Sequence, residues 1–294
     1  MENSPLCDLS IIIINYNTEG FLNRCLITVA SQSNVNSEVI VVDNASQDNS
    51  LDIVKNNFPW VKLKANKRNL GFARANNQAL KTCKGKYVYF LNPDTEVREG
   101  AFGKIVEFMD SYPDVGLAGT RILNPDGSLQ SSTEQRYPGE KYEKRGLKDL
   151  KGNIAWVLGA SMVGRRDIVD RLGGFDERFY IYGEEQDLCL RVRKEGWAIG
   201  CIPDAVIVHW GGKSERDNPP IEVWKKKFEA ELLFYKKHYS KKAIRAIKRA
   251  NIIQAFWRIF TLKVTIPFCT DKEISLNKLD KYKLALEMFY DRGI

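Results

Sequence analysis

The chain of 294 residues is poor in the side chains that build soft-metal or redox centres: two histidines and six cysteines. The cysteines, at positions 7, 25, 83, 189, 201 and 269, contain no C-x-x-C pair. That spacing excludes a zinc site and a small disulfide framework, and it fits thiols in a reducing cytoplasm. One histidine, His238, stands in a lysine-rich stretch, so a multi-histidine metal site is excluded as well. No apolar run approaches the roughly 18 residues that span a bilayer. The first residues, MENSPLCDLSIIIINYN, lack the basic region and small-residue cleavage site of a signal peptide. Three glycine motifs are also missing: G-x-G-x-x-G after the first apolar run, G-x-x-x-x-G-K-[ST], and G-x-S-x-G. Their absence argues against dinucleotide binding, a P-loop and a nucleophile elbow. The expected location is cytoplasmic, with peripheral contact at the inner face of a membrane as an extension.

What is present describes an ordinary globular protein, with 44% hydrophobic and 28% charged residues. The net charge of +8 is local: residues 225–249 hold ten Lys/Arg against Glu229 and Glu231, while residues 1–224 sum to about −2. One basic segment carries the asymmetry, and nucleic acid is not an expected partner.

The first half alternates apolar runs with amphipathic stretches. LSIIIINYN (9–17), EVIVVDNAS (38–46), VKLKAN, KYVYFLNPDT (86–95) and VGLAGTRIL read as strands, most of them buried on both faces. Helical stretches lie between them, predicting an α/β fold with a mainly parallel sheet. Residues 124–153 are polar and Gly-rich, too long for a passive connection, and predict a mobile or substrate-facing loop. AWVLGASMVGR resumes as a strand, EEQDLCLRVRKEGW as a helix, and IGCIPDAVIVHWGG as a last strand or strand pair. After Pro219-Pro220 the apolar residues Trp224, Phe228, Leu232 and Tyr235, then Ile244 and Ile247, then Ile253, Phe256, Trp257 and Phe260, follow helical spacing among lysines and arginines. Two compatible readings stand: a basic amphipathic surface helix for a membrane face, or a helix pair packing its stripe on the sheet domain. The expected domains are residues 1–218 and a helical extension, 219–294.

In open parallel sheets ligands bind beyond the carboxyl ends of the strands. Those ends here carry Asn15-Tyr16-Asn17, Asp43-Asn44-Ala45-Ser46 and Asn92-Pro93-Asp94-Thr95. Each alone is compatible with turn chemistry; three on one edge, with His209 at another strand end and the carboxylates of GGFDERFYIYGEEQDLCLR, mark a site. Asp94, in a turn after a buried strand, suits Mg2+ or Mn2+. Glu184, Glu185 and Asp187 open a helix, where the dipole also favours acidic residues for stability alone.

IIIINYN, VVDNASQDNS, NLGFARANN, YFLNPDT, LGASMVGRR, GGFDERFYIYGEEQDLCLR and VHWGG resemble, in order and spacing, the motifs of family 2 inverting glycosyltransferases with the GT-A fold, the rhamnosyltransferase-like branch above all. The resemblance covers about residues 8–212. It implies a Rossmann-like sheet flanked by helices, a nucleotide-diphospho-sugar donor such as dTDP-rhamnose, a divalent cation, and a glycan or lipid-linked acceptor. Asp43 matches the aspartate that bonds the nucleotide base, with Asn15 and Tyr16 beside it and Arg74 reaching base or diphosphate. Asn92-Pro93-Asp94 occupies the place of the family's Asp-x-Asp motif, so Asn92 faces the donor and Asp94 holds the metal, which His209 completes. Glu185 matches the catalytic base in a Glu-Asp-x-Asp pattern that here reads Glu184-Glu185-Gln186-Asp187, with Asp187 the second candidate for that role. Glu184 and Tyr182 fall to the acceptor, and Phe179, Tyr180 and Tyr182 form an aromatic platform for sugar faces. The sequence departs from the family twice, with Asn92 at an aspartate position and Glu185 one methylene longer than the usual base.

Overall fold

The computed structural model describes residues 7–33, 35–143, 147, 149–211, 219–268 and 270–291. The chain divides into two compact units. Met1–Tyr137, Leu150–Tyr180 and Glu184–Arg216 form the first; Pro138–Asp149, Ile181–Gly183 and Asp217–Ile294 form the second. Residue 218, the sequence-based end of the first domain, lies outside the described residues, as do residues 144–146 and 148 of the long polar segment.

The first unit runs β1 (Cys7–Asn15), α1 (Glu19–Ala30), β2 (Ser37–Asp43), α2 (Ser50–Asn57), β3 (Lys62–Ala65), α3 (Phe72–Leu80), β4 (Gly85–Leu91), β5 (Thr95–Val97) and α4 (Ala101–Ser111). It continues with β6 (Val115–Leu123), β7 (Leu129–Gln130), β8 (Thr133–Glu134), β9 (Trp156–Val157), β10 (Ser161–Arg165), α5 (Arg166–Arg171), α6 (Glu184–Lys194) and β11 (Ala198–His209). The main sheet has the order β3-β2-β1-β4-β10-β6-β11-β5, with β7 on the side of β6. β3, β2, β1 and β4 are parallel, β11 is parallel to β6, and β10 and β5 run antiparallel. This is the α/β architecture expected.

The isoleucine run explains the centre of the sheet. Successive strand side chains point to opposite faces, so Ile11 and Ile13 enter one core and Ile12 and Ile14 the other. β2 repeats the division with Val39 and Val41 against Ile40 and Val42, and β4 with Tyr87 and Tyr89 against Val88 and Phe90. α1 and α4 cover the first face through Leu22, Leu26, Phe102 and Ile105; α3, α5 and α6 cover the second through Ala75, Ala79, Ile168 and Leu188. Two expectations need correction. AWVLGASMVGR is two short strands with a turn between them, and β5 separates from β4 after Asn92-Pro93-Asp94, because a proline cannot continue the ladder. Within 124–153 the structure also forms β7 and β8.

The second unit contains α7 (Pro220–His238), α8 (Lys241–Thr265) and α9 (Lys272–Asp291). Pro220 opens α7, where a missing N–H costs nothing, and the Ser240 hydroxyl caps α8 by accepting from the Ala243 amide at 3.2 Å. Phe228, Leu232 and Tyr235 are buried, and the Phe228 and Phe289 rings meet edge-on at 5.9 Å. Segment 138–143 belongs here because the Tyr239 hydroxyl donates to the Pro138 carbonyl (2.6 Å) and the Ser240 amide donates to Glu143 Oε2 (2.7 Å).

Candidate active site

The carboxyl ends of β1 and β2 form a closed hydrogen-bonded corner. Asn15 and Asp43 are paired in register and both are buried. Asn15 Nδ2 donates to Asp43 Oδ1 (2.8 Å) and to Ser46 Oγ (3.0 Å), and Thr18 Oγ1 donates to Asn15 Oδ1 (2.6 Å). The Ser46 amide donates to Asp43 Oδ2 at 2.9 Å. Asn17 and Ala45 take left-handed backbone conformations here (φ 52° and 68°), unusual for non-glycine residues; the Asn17 amide donates to Ser46 Oγ (2.9 Å) and its Oδ1 accepts from the Gln47 amide (2.8 Å). Next in line, Asn44 ties down residues 66–71: its Nδ2 donates to Asn69 Oδ1 (2.9 Å), and its Oδ1 accepts from Asn66 Nδ2 and the Leu70 amide (both 3.1 Å). Each Asp43 oxygen keeps a second acceptor direction, and the Tyr16 ring beyond Asn15 is exposed.

Arg74, on α3, donates through Nε to Glu177 Oε2 at 2.9 Å, a half-exposed pair of the kind worth about 0–1 kcal/mol. Asn77 fixes the same loop by exchanging hydrogen bonds with the Phe175 backbone at 2.8 and 2.9 Å. Asp176 accepts from the Arg178 side chain and Glu177 from Arg74 and Asn77, so both carboxylates shape this loop. Phe179 is buried and is not available to stack on a sugar, which corrects that part of the aromatic platform. Tyr180 is exposed, and its ring and carbonyl lie against Gly71. Tyr182 belongs to the second unit, with φ +70° and the Lys227 ammonium 5.0 Å from its ring centre.

The turn after β4 is built by two bonds: Thr95 Oγ1 donates to the Asn92 carbonyl (2.7 Å), and the Asn92 amide donates to the Ala160 carbonyl (2.9 Å). β5 then pairs with β11, Thr95 opposite His209, which brings His209 Nε2 to 3.4 Å from Asp94 Oδ1, both side chains buried. His209 Nδ1 lies 3.1 Å from Gln130 Oε1. In the tautomer that donates from Nδ1 to this amide oxygen, Nε2 would present a lone pair toward Asp94. Nε2 has no hydrogen-bond partner among the described residues. A carboxylate and an imidazole lone pair at this separation fit one edge of a divalent cation, whose other ligands would be oxygens of donor and water. Among the described residues no group of three or more His, Cys, Asp or Glu is placed to hold a metal without such help.

α6 begins with three buried carboxylates. Asp187 is enclosed and accepts from Arg191 Nε at 2.8 Å; Arg191 also donates to the Leu172 and Gly174 carbonyls (3.0 and 2.7 Å). Burial, then the charge of Glu185, raises the Glu184 carboxyl well above the ordinary glutamate value, and its Oε2 has no hydrogen-bond partner among the described residues. Glu185 lies beside the β9–β10 turn, where a Cβ on Gly159 would stand 3.5 Å from its own Cβ. That turn also holds Ala160, to which Asn92 is bonded, so the first unit brings Glu185, Asn92, Asp94 and His209 to one edge of the sheet. Sequence reasoning placed Ser46 at a strand end without a role of its own, and it missed Gln130 and Thr18. Thr18, a hydroxyl just before α1, carried a weak signal; Gln130, on a two-residue strand in a polar segment, gave none.

Residues 10–173, more than half of the chain, match the family described as Glycosyl transferase family 2, and the chain belongs to that family. It is a glycosyltransferase of rhamnosyltransferase-like type. It is 25% identical over 241 residues to N-acetylglucosaminyl-diphospho-decaprenol L-rhamnosyltransferase of Mycobacterium tuberculosis, covering 72% of this chain and 78% of the relative. Over 164 residues it is 27% identical to the O-antigen biosynthesis protein RfbC of Myxococcus xanthus, covering 51% of this chain and 13% of that protein. The fold is similar to that of the mannosyltransferase PcManGT from Pyrobaculum calidifontis in complex with GDP-Man and Mn2+ (TM-score 0.61, 16% identity, 99% and 91% of the two chains). It is also similar to that of S. aureus TarS 1-349 in complex with UDP-GlcNAc (TM-score 0.54, 19% identity, 77% and 66%).

Proposed function

We propose that the protein transfers a sugar, with inversion, from a nucleotide-diphospho-sugar of the dTDP-rhamnose class to a hydroxyl of a glycan or lipid-linked glycan. The observation that carries this reading is the buried Glu185 at the start of α6, on the same sheet edge as the Asp94–His209 pair. Asp43, with Asn15 and Tyr16, receives the base; Arg74 turns from its weak exposed pair with Glu177 toward base or diphosphate; Asn92 contacts the donor sugar or ribose. Glu185 takes the proton of the acceptor hydroxyl as that oxygen bonds to the anomeric carbon. The bond from that carbon to the diphosphate breaks on the opposite face, and the diphosphate leaves with the electron pair, needing no acid. Asp94 and His209 would hold Mg2+ or Mn2+, which supplies positive charge beside the leaving diphosphate. Glu184, whose carboxyl burial raises well above the ordinary glutamate value, meets a sugar hydroxyl of the acceptor. Asp187 is committed to Arg191, so the base role rests on Glu185 alone. Tyr182 and Tyr180 remain for acceptor contact. The relative from Mycobacterium tuberculosis, whose name gives a diphospho-decaprenol-linked sugar, supports a lipid-linked acceptor.

Glu185→Gln tests this. Donor binding by calorimetry with Mn2+ is expected to persist, while transfer falls about 10²–10⁴-fold, the usual contribution of a positioned base. Wild-type protein that binds no nucleotide-sugar with either cation would defeat the reading. Binding without turnover would make the protein a carbohydrate- or nucleotide-binding module instead.

A further inference from the structure

α8 is apolar on two sides. Ala243, Ile244, Ile247 and Ala255 are buried. On the opposite side Ile253, Phe256, Trp257, Phe260 and Val264, spaced i, i+3, i+4, i+7 and i+11, form one stripe that is exposed; the three aromatic residues are 57%, 64% and 63% accessible. Single exposed apolar residues need no explanation, but five in helical register do. Phe268, in the turn Ile266–Phe268 just past the helix, is exposed as well.

The charge on this helix names the partner. Lys241–Thr265 holds seven Lys/Arg and no Asp or Glu. Helical spacing puts Lys242 and Arg249 on the azimuth of the stripe and Arg245 and Lys263 at its margin, and all four are exposed. An apolar strip bordered by cations complements an anionic lipid leaflet, where aromatic rings settle at headgroup level and long basic side chains reach the phosphates. It poorly complements a second copy, since a two-fold interface would set this cationic face against itself. No helix among the described residues is long and apolar enough to cross a membrane, so α8 would lie in the plane of the surface.

We propose that the Ile253–Val264 stripe of α8 docks on an anionic lipid bilayer. This deepens the reading of a lipid-linked acceptor and rests on it for its purpose. The test is co-sedimentation of the full chain with vesicles of phosphatidylglycerol and phosphatidylcholine in equal parts, and of phosphatidylcholine alone. Wild type is expected to bind the mixed vesicles, to release at high salt, and to ignore the neutral ones. Trp257→Ser/Phe260→Ser is expected to weaken vesicle binding at least about tenfold, with an unchanged melting temperature and unchanged Mn2+-dependent binding of dTDP-rhamnose in the absence of vesicles. Equal vesicle binding by variant and wild type overturns the proposal, as does no binding by either. A dimer in sedimentation equilibrium that the same variant dissociates overturns it in favour of a second copy. Failure of dTDP-rhamnose binding with vesicle binding intact would count against the donor assignment and leave the docking surface standing.

Discussion

The two ends of the sheet edge are finished differently. At the β1–β2 corner, Asn15, Asp43 and Ser46 satisfy one another, and Asn44 braces the neighbouring loop. At the β5–β11–α6 end, His209 Nε2 and Glu184 Oε2 are buried with no hydrogen-bond partner among the described residues. Buried polar atoms left in that condition cost about 1–3 kcal/mol each, and such costs persist where a ligand supplies the missing partner. On the function proposed above, the contrast separates a rim whose polar groups are already paired from a reacting end that donor and cation would complete.

Substitutions can break this comparison. The largest effect is expected at Asp187, which sits at the reacting end but is finished like the rim: Asp187→Ala strands Arg191 and should cost about 3–5 kcal/mol, read as a fall in urea midpoint. Asp43→Ala leaves one Asn15 Nδ2–H and the Ser46 N–H unsatisfied and should cost about 1–3 kcal/mol, together with donor affinity in calorimetry. His209→Ala should change the urea midpoint by no more than about 1 kcal/mol, since the lost Gln130 contact is offset by removing a buried Nε2 that has no hydrogen-bond partner among the described residues, yet abolish the Mn2+ dependence of donor binding. An equal stability loss at His209 and Asp43 would erase the distinction. The smallest effect is a slope. Glu184 is held above its unfolded value, so the folded state keeps a proton that the unfolded chain releases, and stability falls as pH rises above the ordinary glutamate range. Glu184→Gln should flatten that fall in melting temperature between pH 5 and 8.

Much of the rim was legible in the sequence, because a run such as IIIIN predicts a strand covered on both faces and its final residue then marks a strand end. The reacting end was harder to read. Asp94 and His209 meet through a three-residue strand that sequence pattern merges with β4, so their pairing came from family resemblance and not from spacing. Phe179 was misplaced for a related reason: aromatic residues near carboxylates read as a platform, and only the fold turns this one inward. In α8 the spacing of Ile253, Phe256, Trp257 and Phe260 was legible in the sequence, but with apolar residues on two sides only the fold shows which side stays exposed.

The meeting of Gly71 and Tyr180 has a practical reach. Gly71 adopts φ +82°, a Cβ there would lie 2.7 Å from both the Tyr180 ring and its carbonyl oxygen, and that carbonyl accepts from the Phe72 amide at 2.8 Å. NLGFAR and GGFDERFY are therefore one mechanical part made from two distant pieces of chain. Anyone exchanging donor preference by transplanting segments between relatives would have to carry both as a cassette, since either alone arrives without its mate.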